Sequence, residues 1–91
     1  MVLNTTVAQT IVDGLGLQFD SHSFIRKLLQ KHPEIYGEIL VSRQDVNLAN
    51  GEISSFLSRN AKALNIEIAC HDFVSQNILG NDSPNALWKK I

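Results

Sequence analysis

The stretch from Asn50 to Asn65 constrains the fold of this chain more than any other. Ile53, Phe56, Leu57, Ala61 and Leu64 fall at offsets 0, 3, 4, 8 and 11, the spacing that lines up one face of an α-helix. A stripe of that width has to be buried against other elements. Asn50 is suited to cap the start, because its side-chain oxygen can accept from the free N–H groups of the first turn. The other face carries Ser54, Ser55, Ser58, Arg59 and Lys62, which are small polar residues and two cations.

Three weaker stripes precede it. Val7, Ala8, Ile11 and Val12 define a short first helix, capped by Asn4 and stopped by Gly14 and Gly16. The second starts at Asp20 or Ser21 and sets Phe24, Ile25, Leu28 and Leu29 opposite Arg26, Lys27, Gln30 and Lys31. Pro33 ends it at His32, since proline has no N–H and disfavours helix in the residue before it. Pro33 also suits the first position of a new helix, carrying Ile35, Tyr36, Ile39 and Leu40. Ser42 to Asn50 reads as a polar loop. Asn65 to Cys70 alternates like a short strand, although Ile66, Ala69, Cys70 and Phe73 also fit a helical face. Gly80-Asn81-Asp82 is turn chemistry, and Ser83-Pro84 resembles the cap and first position of a last helical turn over 85–90.

The expected fold is therefore mainly α: four short amphipathic helices plus a short C-terminal helical turn, with one short strand near residues 65–70 as the exception. Hydrophobic residues at 44% and charged residues at 19% fit a globular chain, and its 91 residues make a single domain. The expected core is Val7, Ile11, Phe24, Leu28, Ile35, Ile39, Ile53, Phe56, Leu57, Leu64 and Trp88.

The chemistry-bearing motifs are few. Cys70 is the sole cysteine, so neither an internal disulfide nor a cysteine-rich metal site can form. His22, His32 and His71 are far apart in sequence and lack a second ligand at helical spacing, so no metal and no cofactor is expected. Cys70-His71-Asp72 places three reactive types in a row, but neighbours in a chain point apart. Glu34 and Glu38 are explained by a helix start and a solvated face. No phosphate-cradling loop, nucleophile elbow or metalloprotease motif occurs, which points away from an enzyme. Residues 1–6 lack the basic and apolar regions of a secretory signal, and no run reaches the ~18 apolar residues of a membrane span. The expectation is a cytoplasmic protein with no membrane contact.

Two binding roles follow. The first is protein–protein interaction, with a partner or in a homodimer, through Tyr36, Phe73, Leu79 and Trp88, large side chains on short elements. The second is a helix-turn-helix-like DNA-binding regulator that uses the helix at 51–65. Ser55, Arg59 and Lys62 would contact the duplex, supported by Arg26 and Lys27 on the second helix. Against the second stand a formal charge of −1 and the loop of about ten residues expected before that helix, where the motif has three or four.

Overall fold

A computed structural model describes residues 2–91. Four helices and three strands follow in the order α1 (Thr5–Asp13), β1 (Gln18–Asp20), α2 (Ser21–Lys31), α3 (Pro33–Arg43), α4 (Val46–Asn60), β2 (Ile66–Gln76) and β3 (Asp82–Lys90). The strands form one antiparallel sheet in the order β1-β3-β2. The fold is thus mixed α and β, and the mainly α expectation is corrected.

The helix starts follow from side-chain chemistry. Asn4 caps α1 by accepting from the Val7 N–H at 2.9 Å. Asp20 caps α2 through the Ser23 N–H at 2.8 Å, and Asp45 caps α4 through the Leu48 N–H at 2.9 Å. Each satisfies one of the donors that a helix start leaves free. Pro33 stands in the first turn of α3, with Glu34 beside it.

Both ends of α4 and its cap differ from expectation. The helix begins at Val46 rather than near Gly51, so 46–50 is helix and not loop, and it ends at Asn60, so Ala61, Lys62 and Leu64 lie in the turn after it rather than in a helix reaching 65. Asn50 is not its cap; it lies inside α4, where its Oδ1 accepts from the Tyr36 hydroxyl at 2.9 Å. Asn50-Gly51 resembles a turn locally, but nothing lies within 4 Å of where a Gly51 Cβ would stand, so this glycine answers no steric demand. The link from α3 is only Gln44 and Asp45, with Gln44 in the left-handed region at φ 57°. Its N–H closes α3 on Leu40 O at 2.7 Å.

The C-terminal third differs most from expectation. The expected strand at 65–70 is the start of a longer β2, and the expected last helical turn is β3. Ser83-Pro84 suggested a helix start because proline and a small hydroxyl are common there. In the fold, Pro84 pairs with Val74 on β2. On its other side β1 reaches only Leu87 to Lys89, so Pro84 lies where β3 is itself an edge, a place that tolerates a missing donor. Pairing on both sides, with Phe19 opposite Trp88 on β1 and Ile68 opposite it on β2, outweighs the local signal.

Among the helices α2 packs most closely on the sheet, against β3 and β1, and the apolar side chains of all four helices join one core with it. Ile11, Phe24, Leu28, Ile39, Ile53, Phe56, Leu57, Leu64 and Trp88 are buried together, with Val7 and Ile35 partly buried against them. Leu3, Phe19, Ile25, Tyr36, Ala49 and Ile66 complete the core. Trp88 is 1% exposed, and its indole N–H donates to Ser21 Oγ at 3.1 Å. The register of β2 on β3 shifts between Ile68 and Cys70 and again between Cys70 and Phe73. Such bulges bend a strand and interrupt its ladder.

Candidate functional site

The first turn of α2, the outer face of α4 and the hairpin β2–β3 enclose a cleft of about 350 Å³. One wall is α4, through Asn47, Gly51, Ser54, Ser55 and Ser58. The other is the hairpin, through Asn77, Ser83 and Asn85, with His22 at the base. Helical spacing carries the first set along one side of α4. Register puts the second on the hairpin, where Ser75 pairs with Ser83 and Phe73 with Asn85. No lysine, arginine, aspartate or glutamate lines the cleft.

The base is a chain of hydrogen bonds whose proton positions are fixed by elimination. Asp20 Oδ1 accepts from the Ser23 N–H, and its Oδ2 takes the single hydroxyl proton of Ser75, because an ionised carboxylate only accepts. Ser75 Oγ must then accept from its remaining neighbours, Asn85 Nδ2 at 3.1 Å and His22 Nδ1 at 2.8 Å. The Asn85 amide is oriented by its Oδ1, which accepts from the His22 backbone N–H at 3.0 Å. His22 accordingly carries its proton on Nδ1 and leaves Nε2 as an acceptor, 3.3 Å from Ser83 Oγ. Asn77 Nδ2 donates to that same Ser83 oxygen at 3.2 Å, so the Ser83 proton is free to point at the imidazole.

Burial alone would push the Asp20 carboxyl up. The hydrogen bonds from Ser23 and Ser75, with the neighbouring His22, outweigh it and hold the group below its usual range. Burial pushes His22 down and prevails over the attraction of Asp20, with Arg26 acting in the same direction as burial. The charge states are thus an ionised Asp20 beside a neutral His22 at neutral pH.

The residues singled out for DNA contact are distributed unevenly. Ser55 and Arg59 are exposed on α4 and share a shallow hollow with Arg43, Asn47, Leu48, Gly51 and Glu52. Lys62 is exposed just past the helix end. Arg26 reaches the hairpin instead, donating to Gln76 O at 3.0 Å. Lys27 lies with Thr10, Gly14 and Lys31 in a hollow that contains no α4 residue. Of the residues singled out for a protein interface, Tyr36 and Trp88 are buried in the core, while Phe73 and Leu79 are 37% and 55% exposed on the hairpin. Val74 beside them is 62% exposed.

Cys70, His71 and Asp72 are exposed at the bulged part of β2. Among the described residues, no group of three or more His, Cys, Asp or Glu side chains could hold a metal ion. Among them, too, no helix is long and apolar enough to cross a membrane. In the sequence Asp20 and Ser83 read only as helix caps and His22 only as an isolated histidine, and nothing there marks Ser75 or Asn85 as their partners. Their partners lie 53 to 63 residues away, and no local spacing records such a link. No family model, curated protein or solved structure matches the chain.

Proposed function

We propose that this chain binds duplex DNA, with α4 entering the major groove as the second helix of a helix-turn-helix. The observation that supports this most is the link between α3 and α4, only Gln44 and Asp45. The ten-residue loop that weighed against the motif is absent. In such motifs the second helix presents side chains to base edges while the first crosses the backbone. Here the side chains of Asn47, Ser54, Ser55, Ser58 and Arg59 make no hydrogen bond or ion pair among the described residues. The single carboxylate of α4, Glu52, lies 3.8 Å from Arg43, which offsets its repulsion of a phosphate. Arginine can bind guanine bidentately, asparagine can do the same with adenine, and short serines allow close approach.

The net charge of −1 implies weak non-specific binding, so the contacts would be local. The test is fluorescence anisotropy with a labelled duplex at low and moderate salt. Binding that weakens as salt rises, and about tenfold weaker binding for Arg59→Ala, consistent with one lost bidentate contact, would sustain the reading. No binding at low salt would exclude it.

A second role, binding a protein partner or a second copy of the chain, draws support from the apolar hairpin surface of Phe73, Val74 and Leu79. Light scattering on the unaltered chain and on Leu79→Ser distinguishes it. A mass above the monomer that Leu79→Ser reduces would favour self-association; a monomer in both would remove that case.

A further inference from the structure

Beyond any binding role, we propose that Ser83 is a nucleophile activated by His22, acting on small uncharged activated esters held in the cleft between α4 and the hairpin. Nucleophilic use of a serine needs a base within hydrogen-bond reach, the right tautomer on that base, a donor for the developing oxyanion and room for a substrate. Each requirement has a named group. His22 Nε2 lies 3.3 Å from Ser83 Oγ, a loose contact of the kind that tightens when substrate binds. The tautomer with Nε2 unprotonated is imposed by Ser75, whose own proton is committed to Asp20. Asp20 therefore orients the imidazole through one intervening hydroxyl, and stabilises the imidazolium that forms during attack. Asp20 and Ser75 are positioning residues.

Asn77 supplies the donor. Its Oδ1 accepts from the Leu79 and Asn81 N–H groups at 2.9 and 3.1 Å, which leaves no doubt over which end of the amide is Nδ2. One hydrogen of that NH₂ is on the Ser83 oxygen, and the other is the donor offered to the oxyanion, which forms two bonds away from that oxygen on the attacked carbon. Ser83 itself lines the cleft. The absence of charged walls selects an uncharged substrate, and the free hydroxyls of Ser54 and Ser55 opposite favour one with hydrogen-bonding groups.

In the reaction Ser83 Oγ bonds to the ester carbonyl carbon and its proton passes to His22 Nε2. The tetrahedral adduct collapses, the C–O bond to the alcohol breaks, and Nε2 returns the proton to the departing alkoxide. Water then adds to the acylated serine by the same route, releasing the acid and restoring the hydroxyl.

The experiment is covalent labelling of the whole folded chain with a fluorophosphonate probe, read by intact mass and peptide mapping. Ser83 Oγ bonds to phosphorus, fluoride leaves, and the proton goes through His22 to water. The expected result is one adduct, on Ser83, forming faster as pH rises through the titration of His22, whose charged neighbours are Asp20 and Arg26. His22→Gln should slow labelling by about a hundredfold or more, the contribution of a positioned base. Asp20→Asn keeps the helix cap, but its new NH₂ donates to Ser75 and turns the Ser75 proton towards Nδ1. The imidazole then takes the other tautomer, and labelling should fall at least about tenfold. If His22→Gln does not fold, Asp20→Asn and the pH profile of the unaltered chain decide. No adduct on Ser83, labelling of Ser54, Ser55 and Ser58 as readily as Ser83, or a rate flat across the imidazole titration overturns the assignment.

Discussion

The two walls of the cleft are built from the same residue types and are held in opposite ways. On α4, Asn47, Ser54, Ser55 and Ser58 are placed by the backbone of a helix whose other side is core, and their side-chain polar atoms have no hydrogen-bond partner among the described residues. On the hairpin, Asn77, Ser83 and Asn85 are tied to one another, to His22 and to backbone groups. A serine on the first wall has no partner among the described residues to give up when it meets a ligand. A serine on the second is part of what keeps the hairpin on α2. Identical side chains therefore report different things, and the difference lies in whether a partner is already committed.

The largest effect is expected from the side chain under the hairpin wall. Trp88→Ala empties the middle of the sheet, and thermal or urea denaturation should show a loss of about 3–5 kcal/mol, enough to unfold a domain of marginal stability. On the hairpin wall, Asn85→Ala strips the His22 N–H and Ser75 of a partner. A cost of about 1–3 kcal/mol is expected in the same assay, with the spectrum of the folded chain preserved. Asp45→Ala, which removes an exposed cap from α4, should cost about 1 kcal/mol and separates the worth of a helix start from that of the cleft. On the α4 wall, Ser58→Ala should change stability by no more than about 0.5 kcal/mol. A loss as large as that of Asn85→Ala would break the distinction between the walls.

Acid should act on the hairpin wall alone. The folded chain holds His22 below its usual 6.5, so the unfolded chain binds this proton more readily. The associated stability is complete above pH 6.5 and falls as pH drops from there through the lower folded value. Asp20, also depressed, adds a second fall below its usual 3.8. Melting temperatures by circular dichroism at several pH values check this. In His22→Gln the first fall should vanish while the second remains.

The helices were legible where side-chain period and capping agreed. Asn4, Asp20, Pro33 and the stripe that starts at Ile53 gave four helices in the right order, although the last stripe ran past the end of α4 at Asn60. The start of α4 was not legible, because Asn50-Gly51 carries the composition of a turn while the operative cap, Asp45, stands in a polar run with no period around it. Of the strands only the start of β2 was legible, and β1 and β3 were missed for another reason. β1 is three residues long, too short for an alternation to register. In β3 the neighbours that stabilise Trp88 as a strand residue are Phe19 and Ile68, and distant pairing is invisible to a local pattern. The cleft inherits both failures, since it exists only once β2 and β3 lie beside α2.

The position of β3 bears on how the chain comes to fold during synthesis. β3, the strand at the middle of the sheet, is made after both of the strands it joins, so β1 and β2 have no shared neighbour until residues 82–90 have left the ribosome. The helices have only local turns to close and can form while translation continues, whereas the sheet waits for a contact spanning most of the chain's length. Until then the apolar faces awaiting Trp88 stay open, and exposed apolar surface of that kind favours aggregation.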